Sequence, residues 1–317
     1  MKILMVSAHF QLPHDSIPIG GVQQHISKVS EALRARGHEV MWTYPTDTTV
    51  VLNPEANYPS ITKVKTQDGV DWADAVVGHD FCSWLNPGKP NIVVFHGWEG
   101  ACPPHPQVVA WRQEIARAAG ATIAVGAFIP KWYGHEVDEV IWGATDAPVG
   151  EELTTEANLA MWVGRLEPDT CCLEAIRSAL RKGLHVEVYG DGSLRVPLEK
   201  MRDSIPGARV FLFGFTRHED VLSNLARAHV VLPSGLLSLL EARVRGKPCV
   251  VVAPNPLKLD YWGMHPTPPV IEDAEGTVLN LQQCSSPELP SGFQRWALGQ
   301  TWAKVAGIYE ALLGRQA

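Results

Sequence analysis

Two kinds of hydrophobic pattern alternate along the chain. Short runs rich in Val, Ile and Leu are followed by stretches where apolar positions recur every three or four residues. Residues 2–8 (KILMVSA) form a run of the first kind. After the polar segment HFQLPHDSIPIGG, Val22, Ile26, Val29 and Leu33 lie on one face of a predicted helix that Gly37 closes. Residues 40–44 resume as a strand, and strand–helix–strand in this order predicts a right-handed parallel crossover. Residues 75–78 and 91–95 read as further strands, 106–120 as a helix, and 122–125 and 139–142 as the strands that complete the series.

The stretch 148–157 (PVGEELTTEA) is polar and turn-rich and reads as a linker. The alternation then restarts: strand 159–163, helix 173–182 closed by Gly183, strand 186–189, helix 194–203, strand 210–213, helix 219–228 and strand 230–232. Residues 233–253 (PSGLLSLLEARVRGKPCVVVA) read as a strand end, a loop, a helix carrying Glu241 and a fully apolar strand. Gly246 and Pro248 end that helix. The expected fold is α/β, with two doubly wound Rossmann-like domains facing each other across a cleft, over 1–147 and 158–296. Residues 297–317 supply a C-terminal helix, with Trp302, Val305, Ile308, Tyr309 and Leu312 on one side, expected to pack back on the N-terminal domain. The proline-rich stretch 254–269 is left unassigned.

A length of 317 residues suits two domains of about 150 residues each. With 45% hydrophobic and 19% charged residues the chain is expected to be globular, and its net charge of −7 argues against a broad nucleic-acid footprint. No apolar run approaches the roughly 20 residues of a membrane span. The start reads as a buried strand rather than a signal peptide. The six cysteines form no CxxC pair, so a cytoplasmic location is expected.

Candidate chemistry lies where strands end. Gly20-Gly21 precede a helix whose free amides would suit a phosphate, although glycines there also serve as plain turn residues. No G-x-G-x-x-G follows the first strand, which weighs against a dinucleotide oxidoreductase. Gly164-Arg165 end a strand. The guanidinium could clamp a diphosphate or pair with Glu167 or Glu174. Gly190-Asp191-Gly192 is a tight turn. His96 follows a strand in FHGWEG, and His25 follows Gln23 and Gln24 at the same edge, where each could reach a hydroxyl group. His9, His14, His79 and His105 have no ligand spacing, and no metal site is expected.

In order along the chain, GGVQQHISKVSEALRARGHEV, FHG, VGRLEP, YGDGSLR, FLFGFTRHEDVLSNLARAHVVLPS, LLEARVRGKPCVV and TWAKVAGIYEALL make the sequence resemble the GT4-like glycosyltransferases of the GT-B fold. The resemblance implies a nucleotide-sugar donor, most simply a UDP-sugar, on the C-terminal domain and an acceptor on the N-terminal one. It also implies retention of anomeric configuration with no metal or other cofactor. By position, Gly20, Gly21, Gly164, Arg165, Thr170, Gly190 and Gly192 would face the donor, as would Ser234, Gly235 and Leu236. Phe215 would meet the base through its backbone, Glu241 the ribose and His96 the transferred sugar. His96, Arg165 and Glu241 are thus the implied catalytic set, and His25, Gln23, Trp98 and Glu99 the implied acceptor contacts.

Two departures from the family pattern stand out. Thr170 occupies the place of a lysine that normally supplies a second cation to the diphosphate, a loss of about 2–4 kcal/mol in leaving-group stabilisation unless replaced. Arg195 and Lys247 are the expected replacements. The loop before Glu241 is shortened and lacks the earlier glutamate, which leaves room for an unusual sugar such as a pentose. A catalytically degenerate sugar-nucleotide-binding protein is the competing reading. The acceptor classes are small molecules, saccharides and lipid-linked molecules, with a hydroxymethylated DNA base as the outlying alternative. That last class would use a basic cluster of Lys131, Arg112 and Arg117 beside Trp111 and Trp132.

Overall fold

A computed structural model describes residues 1–7, 20–43, 50–53, 58–61, 67–80, 88–97, 101–146, 154–279 and 291–316. The chain divides into two compact units, Met1–Trp142 with Trp302–Ala317, and Gly143–Thr301.

The first unit begins with β1 (Lys2–Ser7), α1 (Gly21–Ala35) and β2 (Glu39–Thr43). An antiparallel pair follows, β3 (Val50–Asn53) with β4 (Tyr58–Ile61). Next come α2 (Gln67–Trp72), β5 (Ala75–His79), β6 (Asn91–Phe95), α3 (Pro106–Ala118), β7 (Ala121–Val125), α4 (Phe128–Tyr133) and β8 (Glu139–Ile141). Six strands form one parallel sheet in the order β2-β1-β5-β6-β7-β8. Its central strands are buried along their length, which is why they read as continuous apolar runs. The order reverses between β1 and β5, and ligands of such sheets sit beyond the carboxyl ends of the strands at that reversal.

The second unit contains β9 (Leu159–Val163), a 3-10 turn (Pro168–Thr170), α5 (Cys172–Arg181), β10 (His185–Tyr189), α6 (Arg195–Ser204) and β11 (Val210–Gly214). It continues with α7 (His218–Leu225), β12 (Val230–Pro233), α8 (Leu236–Val244), β13 (Val250–Val252), α9 (Pro256–Gly263), β14 (Val270–Glu272) and α10 (Ser291–Leu298). The order is β11-β10-β9-β12, and a parallel bridge between Val231 and Cys249 carries it on to the β13-β14 pair. The strands therefore wind outward from β9 on one side and from β12 on the other. Ala160, Trp162, Val186, Val188 and Leu232 pack with Ile176 and Leu198 into the core on one face of this sheet.

The chain then returns to the first unit as α11 (Trp302–Gly314). Tyr309 meets His25 of α1 at 2.8 Å. Glu310 receives hydrogen bonds from Arg36 Nε at 2.7 Å and His38 Nε2 at 2.6 Å, and these partners draw its carboxyl down to about 2. Gln316 closes the contact on the backbone of Asn91.

Candidate functional site

The order reversal of the second sheet lies between β9 and β12, and the chain there is built to bring strand ends together. Gly164 follows β9 with φ +137°, and a Cβ on it would stand 1.7 Å from Ser234 Oγ, just past β12. Ser234 N–H donates to the Val163 carbonyl at 3.1 Å. Gly190, after β10, has φ +142°, and a Cβ there would meet the Gly164 carbonyl oxygen at 1.9 Å. Gly192 shares the same turn, where its N–H donates to Asp191 Oδ1 at 2.8 Å.

Arg165 extends from this edge half exposed and donates to Asp169 Oδ2 at 2.8 Å. Its ion-pair partner is therefore Asp169 rather than Glu167 or Glu174. Glu167 accepts from Ser193 N–H at 3.0 Å and Ser193 Oγ at 2.6 Å, and these bonds hold its carboxyl below the usual range. Thr170 is buried in the 3-10 turn, its hydroxyl directed to the carbonyls of Glu167 (2.7 Å) and Arg165 (3.1 Å).

Across the reversal, Gly235 is the N-cap of α8 and Leu236 its first residue. Ser238 Oγ accepts from Gly235 N–H at 3.3 Å and donates back to the Gly235 carbonyl at 3.0 Å. The helix presents its amino end, with its partial positive charge, on the same edge as Arg165. Glu241 is 4% exposed, and His218 Nε2, at the start of α7, lies 3.1 Å from its Oε1. Phe215, one residue beyond β11, is exposed. Gly164, Arg165, Gly190, Gly192, Ser234, Gly235, Leu236 and Glu241 thus come from the carboxyl edge of one sheet and the helix that leaves it. Sequence reasoning missed His218.

In the first unit, three histidines gather at the β1/β5 reversal. His79 ends β5, His96 follows β6, and His25 reaches them from α1, whose N-cap is Gly20 and whose first residue is Gly21. His79 Nδ1 and His96 Nε2 are 2.9 Å apart, so one of the two nitrogens carries the shared proton. The His25 and His96 rings meet edge to face at 4.8 Å. His96 N–H also donates to Asp80 Oδ1 at 2.7 Å. All three side chains are buried. Burial lowers His25 to about 3 and carries His79 well below its ordinary value, so both are neutral at pH 7. Gln23 is half-buried in the first turn of α1, while Trp98 and Glu99 lie outside the described residues.

The proposed basic cluster is not what forms on α3. Arg112 is 2% exposed, lies 3.8 Å from Asp80, stacks over the rings of Tyr133 and Phe95, and donates to the Gly97 carbonyl at 3.2 Å. It is a core cation. Trp132 instead lines an open groove of about 510 Å³ with Pro103, Pro104, Pro106 and Val109, which is an apolar surface rather than a basic one. Among the described residues there is no group of three or more side chains able to hold a metal ion. No helix there is long and apolar enough to cross a membrane.

No family model and no curated protein matches the chain in sequence. Solved structures do match in fold. AviGT4, a glycosyltransferase involved in avilamycin A biosynthesis, is similar over 99% of this chain and 97% of its own, at 18% identity and a TM-score of 0.64. Anabaena HepE, solved in complex with UDP, is similar over 99% and 100%, at 15% identity and a TM-score of 0.65. The fold is GT-B. An α-glucosyltransferase in complex with UDP and a 13-mer DNA containing an HMU base shares the GT-B fold over 100% of this chain and 93% of its own, at 12% identity and a TM-score of 0.52. At these identities the likeness to each is one of fold. The two Rossmann-like units of GT-B correspond to the two doubly wound sheets described above.

Proposed function

We propose that the protein is a glycosyltransferase that moves a sugar from a nucleoside-diphosphate sugar, with UDP as the nucleotide, to an acceptor hydroxyl. One observation carries this reading. At the order reversal of the second sheet, Arg165 and the amino end of α8 flank a glycine-walled strand edge, with Glu241 farther along the same helix. A cation and a helix amino terminus together suit a diphosphate, and a buried carboxylate suits a diol such as the ribose. The UDP held by HepE, a protein of the same fold, supports the choice of nucleotide.

In this reading the site acts on the leaving group. As the bond from the anomeric carbon to the diphosphate oxygen breaks, negative charge grows on that oxygen, and Arg165 and the α8 amides stabilise it. The acceptor oxygen forms the new bond on the same face and gives its proton to the departing phosphate, so configuration is retained without a protein nucleophile. The reading assigns no step to a divalent ion. Gly190 and Gly192 let backbone approach the donor, and Phe215 offers its main chain to the base. His96, with His25 and Gln23, serves the sugar and acceptor side in the first unit. The acceptor belongs to the small-molecule, saccharide or lipid-linked classes. Burial of Arg112 takes it out of the basic cluster suggested for a DNA acceptor, and a hydroxymethylated DNA base stays as the outlying alternative.

Incubation with a panel of UDP-, GDP- and TDP-sugars tests the proposal. Released nucleoside diphosphate, unaffected by EDTA and lost in Arg165→Ala, is the expected result. A protein that binds UDP without releasing it from any donor supports the degenerate alternative, and one that binds no nucleotide at all refutes both.

A further inference from the structure

Arg195 and Lys247, the expected substitutes for the missing lysine, are engaged elsewhere. Arg195 donates to Asp191 at 2.9 Å and Glu199 at 3.2 Å, and Lys247 donates to Thr155 Oγ1 at 3.0 Å. The first unit carries a more complete device, built around His96.

Side chains from β5, α3 and α1 fix that residue. Just past β5, Asp80 Oδ1 accepts the His96 N–H at 2.7 Å, with Asp80 itself in the left-handed region at φ +51°, which an aspartate tolerates better than most side chains. From α3, Arg112 donates to the Gly97 carbonyl at 3.2 Å and lies 3.8 Å from the same Asp80 oxygen. One buried ion pair thus grips the backbone of His96-Gly97 at its N–H and at its carbonyl. From α1, the His25 ring packs on the His96 ring at 4.8 Å, and Tyr309 holds His25 Nε2 at 2.8 Å.

His79 decides where the His96 ring carries its proton. His79 Nδ1 stands 2.9 Å from His96 Nε2, while His79 Nε2 is buried with no hydrogen-bond partner among the described residues. A single proton lies between Nδ1 and Nε2 of that pair. Were it on His96, a neutral His79 would carry its own proton on Nε2, as a buried N–H aimed at no acceptor. With the proton on His79 Nδ1, the nitrogen left over is only a lone pair. That is the lesser defect, since buried N–H groups without an acceptor are rarer in folded proteins than acceptors short of a donor. Burial also keeps His79 from holding protons on both nitrogens.

We propose that His79 is a positioning residue that donates from Nδ1 to His96 Nε2 and so fixes His96 as the tautomer protonated at Nδ1. In that form His96 acts on the sugar as a hydrogen-bond donor, and its Nε2 lone pair is already engaged and cannot serve as a base. The tautomer follows from the first unit alone, whereas its action on the sugar rests on the donor reading given above. A histidine that takes no proton agrees with a reaction in which the departing phosphate takes it.

Long-range proton–nitrogen NMR correlation of the histidine side chains at pH 7, assigned with His79→Asn and His96→Asn, reads the tautomers without any ligand. The expected result is His96 protonated at Nδ1 and not at Nε2, with His79 protonated at Nδ1. His96 protonated at Nε2 overturns the proposal. Turnover of the UDP-sugar found active in the panel above gives a second measurement. An asparagine amide stands in for the Nδ1–H of His79, so His79→Asn should keep the His96 tautomer and hold kcat within about twofold of wild type. His79→Leu removes the donor and lets the His96 proton move between its nitrogens, and kcat should fall about tenfold with KM little changed. Equal losses in the two variants, following only their melting temperatures, would make His79 a packing residue and overturn the proposal while the donor reading stands. If wild type releases nucleotide from no donor, the action on the sugar falls with the donor reading, and the spectrum still decides the tautomer.

Discussion

Glu241 is enclosed by α8 and its neighbours, and the imidazole of His218 lies 3.1 Å from its Oε1. A carboxylate has about four lone-pair directions, so one histidine leaves capacity for two further donors. If those donors are the ribose hydroxyls, Glu241→Gln should lower UDP affinity by roughly tenfold, since hydrogen bonds to charged groups contribute about 1.5–3 kcal/mol. The same change should abolish the preference for UDP over 2′-deoxy-UDP. Calorimetry with both nucleotides reads this directly, and an undiminished preference in the variant would remove Glu241 from the ribose. The buried histidines make a second, independent prediction. Burial lowers His25 in the folded chain to about 3 from an ordinary value near 6.5. Between those values the unfolded chain takes a proton that the folded chain refuses. The stabilisation is therefore complete above pH 6.5 and is lost as pH falls towards 3, by about 1.4 kcal/mol per pH unit for each such group. His265, lowered to about 3 by burial, and His79 add in the same direction. Urea unfolding at pH 7, 6 and 5 should show the decline, with a shallower slope in His25→Gln.

At the scale of elements, the joint between β9, β10 and β12 has no room for a side chain. Gly164→Ala would drive a methyl group into Ser234 and hold alanine at φ +137°. A loss of about 2–4 kcal/mol is expected. Gly164→Ala with Ser234→Gly should recover the clash but not the strain, which thermal denaturation of the double variant would separate. The strands around this joint were legible because parallel strands covered on both faces are unbroken apolar runs, and Arg165 and Glu241 could be placed by their distance from such runs. The helix α9 was not legible. Asn255 and Pro256 mark a helix start, but the prolines around them hid its short apolar period. His79 was passed over for a related reason. It is 17 residues from His96, and only the pairing of β5 with β6 brings them within a hydrogen bond. The reverse error occurred at Arg112, where a run of basic and aromatic residues concealed a cation placed inside the unit.

Considered as a whole, the chain crosses between its units twice, after Trp142 and before Trp302. The two crossings are tied within the second unit by Thr145 N–H on the Gln300 carbonyl at 2.9 Å. The last helix belongs to the first unit, where Tyr309, Glu310 and Gln316 bind residues of α1, the segment after it and β6. Ending the chain at Thr301 should therefore weaken the first unit and spare the second. Hydrogen exchange should show faster exchange in β1, β6 and α1 with little change in β9 to β12, and equal loss in both units would contradict the division. The comparisons in fold extend over nearly the full length, and they are carried by this two-unit plan rather than by shared sequence.

The return of α11 also bears on synthesis. A growing chain generally folds its units as they emerge, the N-terminal one first. Here the first unit to begin is completed after the second, because the surface of α1 awaits residues 302–316, which are made after the whole of the second unit. The second unit, uninterrupted in sequence, has all of its described strands by residue 272. During translation, then, the second unit would reach its native form while its older neighbour is still waiting for a closing helix.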